Sequence, residues 1–267
     1  MAKNISPLQA GIDGVAPPSG DGIDFLFETS TTQKFPIGQR VCLSNGAVFH
    51  YAYALTAIGR QLFAAAGTVP AGHQGTLTLC SGTASLGGSK VGSKTLRIIA
   101  SGTAMTENQY QGGQFCITTN VLGLASTQVC WIKSHNAAAT GAACDLQLHN
   151  PLLFTVDSNA RGNLIMNPFM NVKAHAGAAG NWPVGLTTTI VAATSYCWLQ
   201  TWGPTGVVHS AMPQANVGGM FVCGTATGGS VSSVAIAGIN LYPLVGYNGN
   251  VVGVSGCVTP AFITIMP

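Results

Sequence analysis

The chain has 267 residues, 10 of them Lys or Arg and 7 Asp or Glu, so only 6% are charged, against roughly 25% in an ordinary soluble domain. Hydrophobic residues make up 47%, which argues against disorder. A net charge of +3 over this length gives no basic stripe for nucleic acid. With few charges to solvate a surface, the expectation is a protein covered by copies of itself or by a partner.

Residues 1–36 read as an extended arm. Gly11, Gly14, Pro17, Pro18, Gly20 and Gly22 recur too often for a helix or a long strand. Within its first 28 residues Asp13, Asp21, Asp24 and Glu28 are opposed only by Lys3, so that stretch carries −3 and the remainder of the chain +6. The arm ends in Ile23, Phe25, Leu26 and Phe27, which have no evident local core. These features predict an inter-subunit clamp. No apolar run precedes Asp13, so no secretory leader is expected, and synthesis in the cytoplasm follows.

From Ile37 the texture changes. Residues 37–267 read as a β-rich body, either one unit or two β subdomains with a break near 155–180. Short apolar runs, many alternating with period two, are separated by Gly, Ser, Thr and Asn clusters. This predicts an all-β fold, a sandwich or barrel-like body with short helices and the extended arm. Strands are expected at Arg40 to Leu43, Val48 to Tyr53, Gly75 to Leu79, Thr95 to Ala100, Gln114 to Thr118, Val129 to Lys133, Cys144 to Leu148, Ser195 to Thr201, Met220 to Cys223 and Phe262 to Met266. Asn45-Gly46 and Asn248-Gly249 are hairpin-turn signals. Short helices are predicted over Tyr53 to Ala66 and, more weakly, near Asn136 to Ala143. Internal repetition is slight: Ser-Gly-Thr-Ala recurs at 81–84 and 101–104, too short for a repeat architecture.

After Lys173 there is no charged residue up to Pro267, a run of 94. Membrane spans need about 20 mainly apolar residues, and every such window is broken by Gly, Pro or polar residues. The alternative is a surface that assembly buries, since a desolvated charge is costly. Within this run, Tyr196, Trp198, Gln200 and Trp202 would share one face of a strand. Phe25, Phe27, Tyr196, Trp198 and Trp202 are the candidate interface residues.

No catalytic pattern emerges. No two of the six His are close in sequence, and the eight Cys, at 42, 80, 116, 130, 144, 197, 223 and 257, include no Cys-x-x-Cys pair. No nucleophile elbow or phosphate loop is present. The expectation is no enzyme, no cofactor, no metal and mostly reduced, buried Cys. Cys116, Cys130 and Cys144 are the ones to watch for pairing.

Several blocks in order carry a resemblance: Tyr110 to Phe115, Trp131 to Ala139, Leu146 to Leu152, Asn167 to Phe169, Pro183 to Gly185, and Tyr196 to Pro204. Their order and spacing resemble virion structural proteins of tailed bacteriophages, in particular capsid decoration (cement) or head-auxiliary proteins. The resemblance spans about residues 40–267. It implies a β-rich fold, no catalysis and assembly on the capsid surface of the virion. The implied partners are the major capsid protein and further copies in a homotrimer, with neither nucleic acid nor membrane. A major coat or shell protein, or a tail fibre or spike subunit binding host glycan through Trp198 and Trp202, fits the same composition.

Overall fold

The structure, a computed structural model, describes residues 24–43, 45–69, 73, 90–100, 102–119, 128–156, 160–176, 182–211, 220–223, 230–233, 244–248 and 257–265. Among them the fold is all-β. In chain order the strands are β1 (Arg40–Cys42), β2 (Val48–Ala54), β3 (Phe63–Ala65), β4 (Thr95–Ile99), β5 (Gln114–Thr119), β6 (Gln128–His135), β7 (Ala143–Leu148) and β8 (Arg161–Ile165). Then come β9 (Lys173–Ala174), β10 (Pro183–Thr187), β11 (Ser195–Ala211), β12 (Met220–Cys223), β13 (Val231–Ser233), β14 (Leu244–Asn248) and β15 (Val258–Thr264). The one helical element among the described residues is a 3-10 turn, Asp24–Phe27.

The predicted helix over Tyr53 to Ala66 does not form. Residues 48–54 and 63–65 are strands, and Leu55 to Leu62 between them form an arch. Ile58 there makes paired backbone hydrogen bonds with Val191, 2.9 Å each way. Those long-range bonds outweigh a helical preference that propensity alone makes weak. Asn136 to Ala142 is likewise an arch, pinned where Ala138 bridges Met105. The Asn45-Gly46 turn forms between β1 and β2, with Gly46 at φ +83°. The Asn248-Gly249 turn and the Gly75 to Leu79 strand lie outside the described residues.

The chain divides into two compact units, one of residues 1–67 and 168–267, the other of residues 68–167. In the first, a ten-stranded sheet runs β13-β12-β14-β15-β11-β10-β3-β9, with β2 also on β11 and β1 on β2. All its pairings are antiparallel except β11 with β13. In the second, five antiparallel strands run β4-β7-β6-β5-β8.

Four strands of each unit share one order, β2-β11-β10-β3 in the first and β4-β7-β6-β5 in the second; the fifth differs, since β9 precedes β10 in the chain whereas β8 follows β7. In each set of four, the second, third and fourth in chain order lie side by side and the first lies beside the fourth, which is Greek-key order. In both, the arch after the first strand bridges the arch between the third and fourth, through Ile58 and Val191 or through Met105 and Ala138. The 68–167 unit occupies the connection between β3 and β10.

Strand β11 organises the first unit. Its first half is sandwiched between β2 and β10, and its second half pairs with β15. The switch falls at a bulge between Gln200 and Trp202 and at Gly203, φ +96°. A Cβ on Gly203 would meet the backbone of Ala47 at 2.7 Å, so glycine is needed there for both conformation and space.

Of the segment read as an arm, residues 1–23 lie outside the described residues. From Asp24 onward the chain belongs to the first unit. Leu26 and Phe35 are buried with Val41, Phe49, Tyr51 and Trp198. Ser30 is hydrogen-bonded both ways to the backbone of Tyr196.

Candidate functional site

The five aromatic candidates take different places. Trp198 is only 2% exposed. Its ring is surrounded by Phe25, Phe35 and Tyr51, with centroids 5.6, 5.3 and 5.1 Å away. It fills the core of its own unit and presents no surface for a partner or glycan. Phe25 is half-buried against it, and Tyr196 stacks on Tyr51 at 5.8 Å. Phe27 is half-exposed at the rim of a cleft of about 240 Å3 that also includes Arg60, Gln61, Asn45 and Thr205.

Trp202 is separated from Trp198 by the β11 bulge. It lies edge-on to Phe262, centroids 5.6 Å apart, on the outward face of β11, β15 and β14. Strand β15 alternates strictly: Thr259, Ala261 and Ile263 point inward, while Val258, Pro260 and Phe262 are exposed. Pro204 lies opposite Phe262 on β11, and Tyr247 opposite it on β14. The side chains on this face are apolar or uncharged, and Phe262 and Tyr247 are 40% and 42% exposed.

The second unit has its own outward face. On β6, Cys130 and Ile132 point into the core while Val129, Trp131 and Lys133 point out. Burying Phe115, Ile132, Leu146 and Leu164 on the inner side contributes about 1.5–3 kcal/mol each. The outer side keeps Trp131 at 50% exposure in the central strand. Gln114 lies opposite it on β5, followed by Ile165 on β8. Arg97 on β4 holds both carboxylate oxygens of Asp145 on β7, at 2.6 and 2.7 Å. The expectation of interface aromatics did not include Trp131, although its alternation with buried Cys130 and Ile132 is visible in the sequence. Trp182, 75% exposed just before β10, was also not among the candidates.

Titratable groups in the cores are arranged for structure. His73 and His135 flank Tyr110 in the second unit. His73 Nε2 faces the Thr103 carbonyl at 3.0 Å, so it carries the proton, and Nδ1 accepts from the Tyr110 hydroxyl at 2.6 Å. His135 Nε2 accepts from the Tyr110 backbone N–H at 2.9 Å, and Nδ1 donates to the Asn136 carbonyl. His135, which must accept at Nε2, is thus held neutral, and its burial lowers its pKa. The Cys144 thiol is 3.7 Å from His135 Nδ1 but points to the Asn136 carbonyl. Burial pushes its pKa up to about 11. A protonated Nδ1 beside a neutral thiol is the reverse of an activated Cys–His pair. Among the described residues, no group of three or more His, Cys, Asp or Glu could hold a metal ion, and no helix is long and apolar enough to cross a membrane.

The thiols of Cys42, Cys116, Cys130, Cys144, Cys197 and Cys257 are free. Cys116 and Cys130 sit on adjacent strands but on opposite faces: Cys116 is opposite Val129, and Cys130 opposite Phe115. Side chains on opposite faces of a sheet cannot bridge.

No protein family, curated protein or solved structure was found to match the chain.

Proposed function

We propose that the chain is a non-enzymatic structural protein of a bacteriophage virion, a decoration or cement protein that binds the assembled head. It would be made in the host cytoplasm and act on the capsid surface, as a homotrimer in contact with the major capsid protein, without nucleic acid, membrane or cofactor. Its body would close as a β-sandwich or barrel-like shell around the Greek-key strands.

The observation that carries this reading is the outward face of β11, β15 and β14. Phe262, Tyr247, Val258 and two prolines are left exposed there beside a half-buried Trp202, inside a 94-residue run without a charge. A lone soluble protein gains nothing from such a face and risks association through it. A protein that works by being packed uses it. Binding only the assembled head stabilises that state by mass action, and many modest contacts add through repetition.

Quantitative mass spectrometry of purified particles, with immunogold labelling against this chain, tests the proposal. Many copies per particle, labelled on the head, are expected. Absence from particles, or label confined to the tail, overturns it.

A further inference from the structure

We propose that the cleft beside Phe27 in the first unit binds one carboxylate-bearing sugar residue, a hexuronate of an acidic polysaccharide. Such a site belongs to the free chain and is independent of any place in a virion.

The cleft is built where the 3-10 turn, the β1–β2 turn, the arch after β2 and the bulged part of β11 meet. Its best-defined polar group is Gln200, only 3% exposed. Gln200 Nε2 donates to the carbonyls of Trp202 and Pro204, at 3.2 and 2.9 Å. Its Oε1 accepts from no described residue and is not sealed in the core, so it opens into the cleft that Gln200 lines. A nearly buried acceptor in this position calls for a donor on the occupant.

The other polar groups supply what Gln200 does not. Arg60 is exposed at the cleft, and among the described residues its guanidinium has no hydrogen-bond or ion-pair partner. Asn45 Oδ1 accepts from the Ala47 backbone N–H at 3.0 Å, which leaves its NH2 group to donate. The Gln61 side-chain amide and the Thr205 hydroxyl likewise have no partner among the described residues. Gln61 stands at φ +55°, a left-handed conformation that is unfavourable for a residue with a Cβ and that clusters at binding sites.

This set of groups selects the ligand class. A guanidinium pairs with a carboxylate through two parallel hydrogen bonds, and a single cation matches one negative charge better than the two of a phosphate monoester. Ring hydroxyls both donate and accept, so they satisfy Gln200 Oε1 and the amide donors together. Half-exposed Phe27, with Leu43 and Pro204, offers apolar surface to the C–H face of the ring. The volume, about 240 Å3, falls below the roughly 300–1,000 Å3 of sites that enclose drug-sized ligands, so one sugar ring enters and the rest of the polymer stays outside. A peptide suits the cleft less well. It would add to a strand edge, and the edge carbonyls of Trp202 and Pro204 are already taken by Gln200.

Saturation-transfer NMR on the full chain tests the assignment, with methyl β-D-glucuronoside as the probe and methyl β-D-glucoside as its neutral twin. Saturation of the uronoside ring protons is expected, with the neutral glycoside about tenfold weaker, the scale of one charge-assisted hydrogen bond. Arg60→Gln should weaken the uronoside about tenfold and leave the neutral glycoside unchanged. Phe27→Ala should weaken both. Gln61→Gly, which suits the left-handed backbone and so keeps the fold, should also weaken both. Thermal melts matching the parent show that the variants are folded. No saturation, equal binding of the two glycosides, or an Arg60→Gln variant that binds the uronoside as the parent does overturns the proposal. So does acetate displacing the uronoside as well as free uronoside does, which marks a plain anion site, or an N-acetylated peptide with a free carboxylate binding where the uronoside does not. All of these readouts come from purified protein, so they fail independently of where the chain resides in a particle.

Discussion

Phe25 meets Trp198 edge to face, ring centroids 5.6 Å apart, and this contact sets where an N-terminal arm can begin. Residues from Asp24 onward are tied into the first unit, so a detachable clamp is confined to residues 1–23. Deleting residues 2–23 should leave the fold intact and weaken assembly. In the full chain, Leu26→Ala should cost about 2–5 kcal/mol, the range for a buried leucine, whereas Phe27→Ala at a half-exposed site should cost under about 1 kcal/mol. Urea unfolding of the three variants checks this, and equal losses for Leu26 and Phe27 would contradict it.

Acid should destabilise the first unit through His50. Burial, aided by the nearby Arg40 charge, brings its pKa down from 6.5 to about 4. The ring stacks on Phe169 at 4.6 Å, and its Nδ1 meets the Thr201 hydroxyl at 3.1 Å. A folded pKa below the unfolded one means the unfolded state takes up the proton first. The contribution is complete above pH 6.5 and is lost as pH falls from 6.5 to about 4, by about 3 kcal/mol. Denaturant midpoints at pH 7.5, 5.5 and 4.5 should fall in that order, and His50→Gln should flatten the slope.

Gly113→Ala should disrupt the second unit. A Cβ there would collide with the Ile165 carbonyl and come within 3.0 Å of the Tyr110 carbonyl. Both are backbone atoms with little room to yield, so a loss of about 3 kcal/mol is expected. Gly92→Ala is the control: φ is +85° but nothing lies within 4 Å of the added carbon, and about 1 kcal/mol of backbone strain is expected. Thermal melts rank the two.

Thiol reactivity should separate the cysteines by burial. Cys257 is exposed, while Cys130, Cys144 and Cys197 are buried, with pKa values pushed up to about 11, 11 and 12 by desolvation. Iodoacetamide at pH 8 on native protein should modify Cys257 before Cys130, Cys144 and Cys197, and leave those three unlabelled until denaturant is added. Early labelling of Cys130 would show that the β5–β6 packing is wrong.

Assembly should protect the β11–β15–β14 face. Hydrogen exchange on free and assembled protein is expected to slow mainly between Ala174 and Pro267. Phe262→Asp, at an exposed position, should keep the fold and lose assembly; an unchanged assembly midpoint would remove this face from the interface.

The all-β class was legible in the amino-acid sequence because half-buried strands alternate. Leu96 and Ile98 on β4 and Cys130 and Ile132 on β6 are buried, with exposed or half-exposed neighbours between them, and Asn45-Gly46 announces its turn. The scarcity of charge was equally plain. Strands β3 and β10 were not legible: all their residues are buried, so no alternation marks them, and Pro183 argues against a strand. The aromatic face was read from period two, but the bulge after Gln200 and the burial of β11 on both sides put Trp198 in the core and Trp202 on the outside. The repeated Greek key left no repeated motif either, because its defining bridges join Ile58 to Val191 in one unit and Met105 to Ala138 in the other. Backbone pairing fixes those contacts across 133 and 33 positions of sequence, and a backbone hydrogen bond reads no side-chain identity. Composition and period therefore determined that this chain makes sheets, while register, set by long-range pairing, decided which side chains those sheets bury and which they offer.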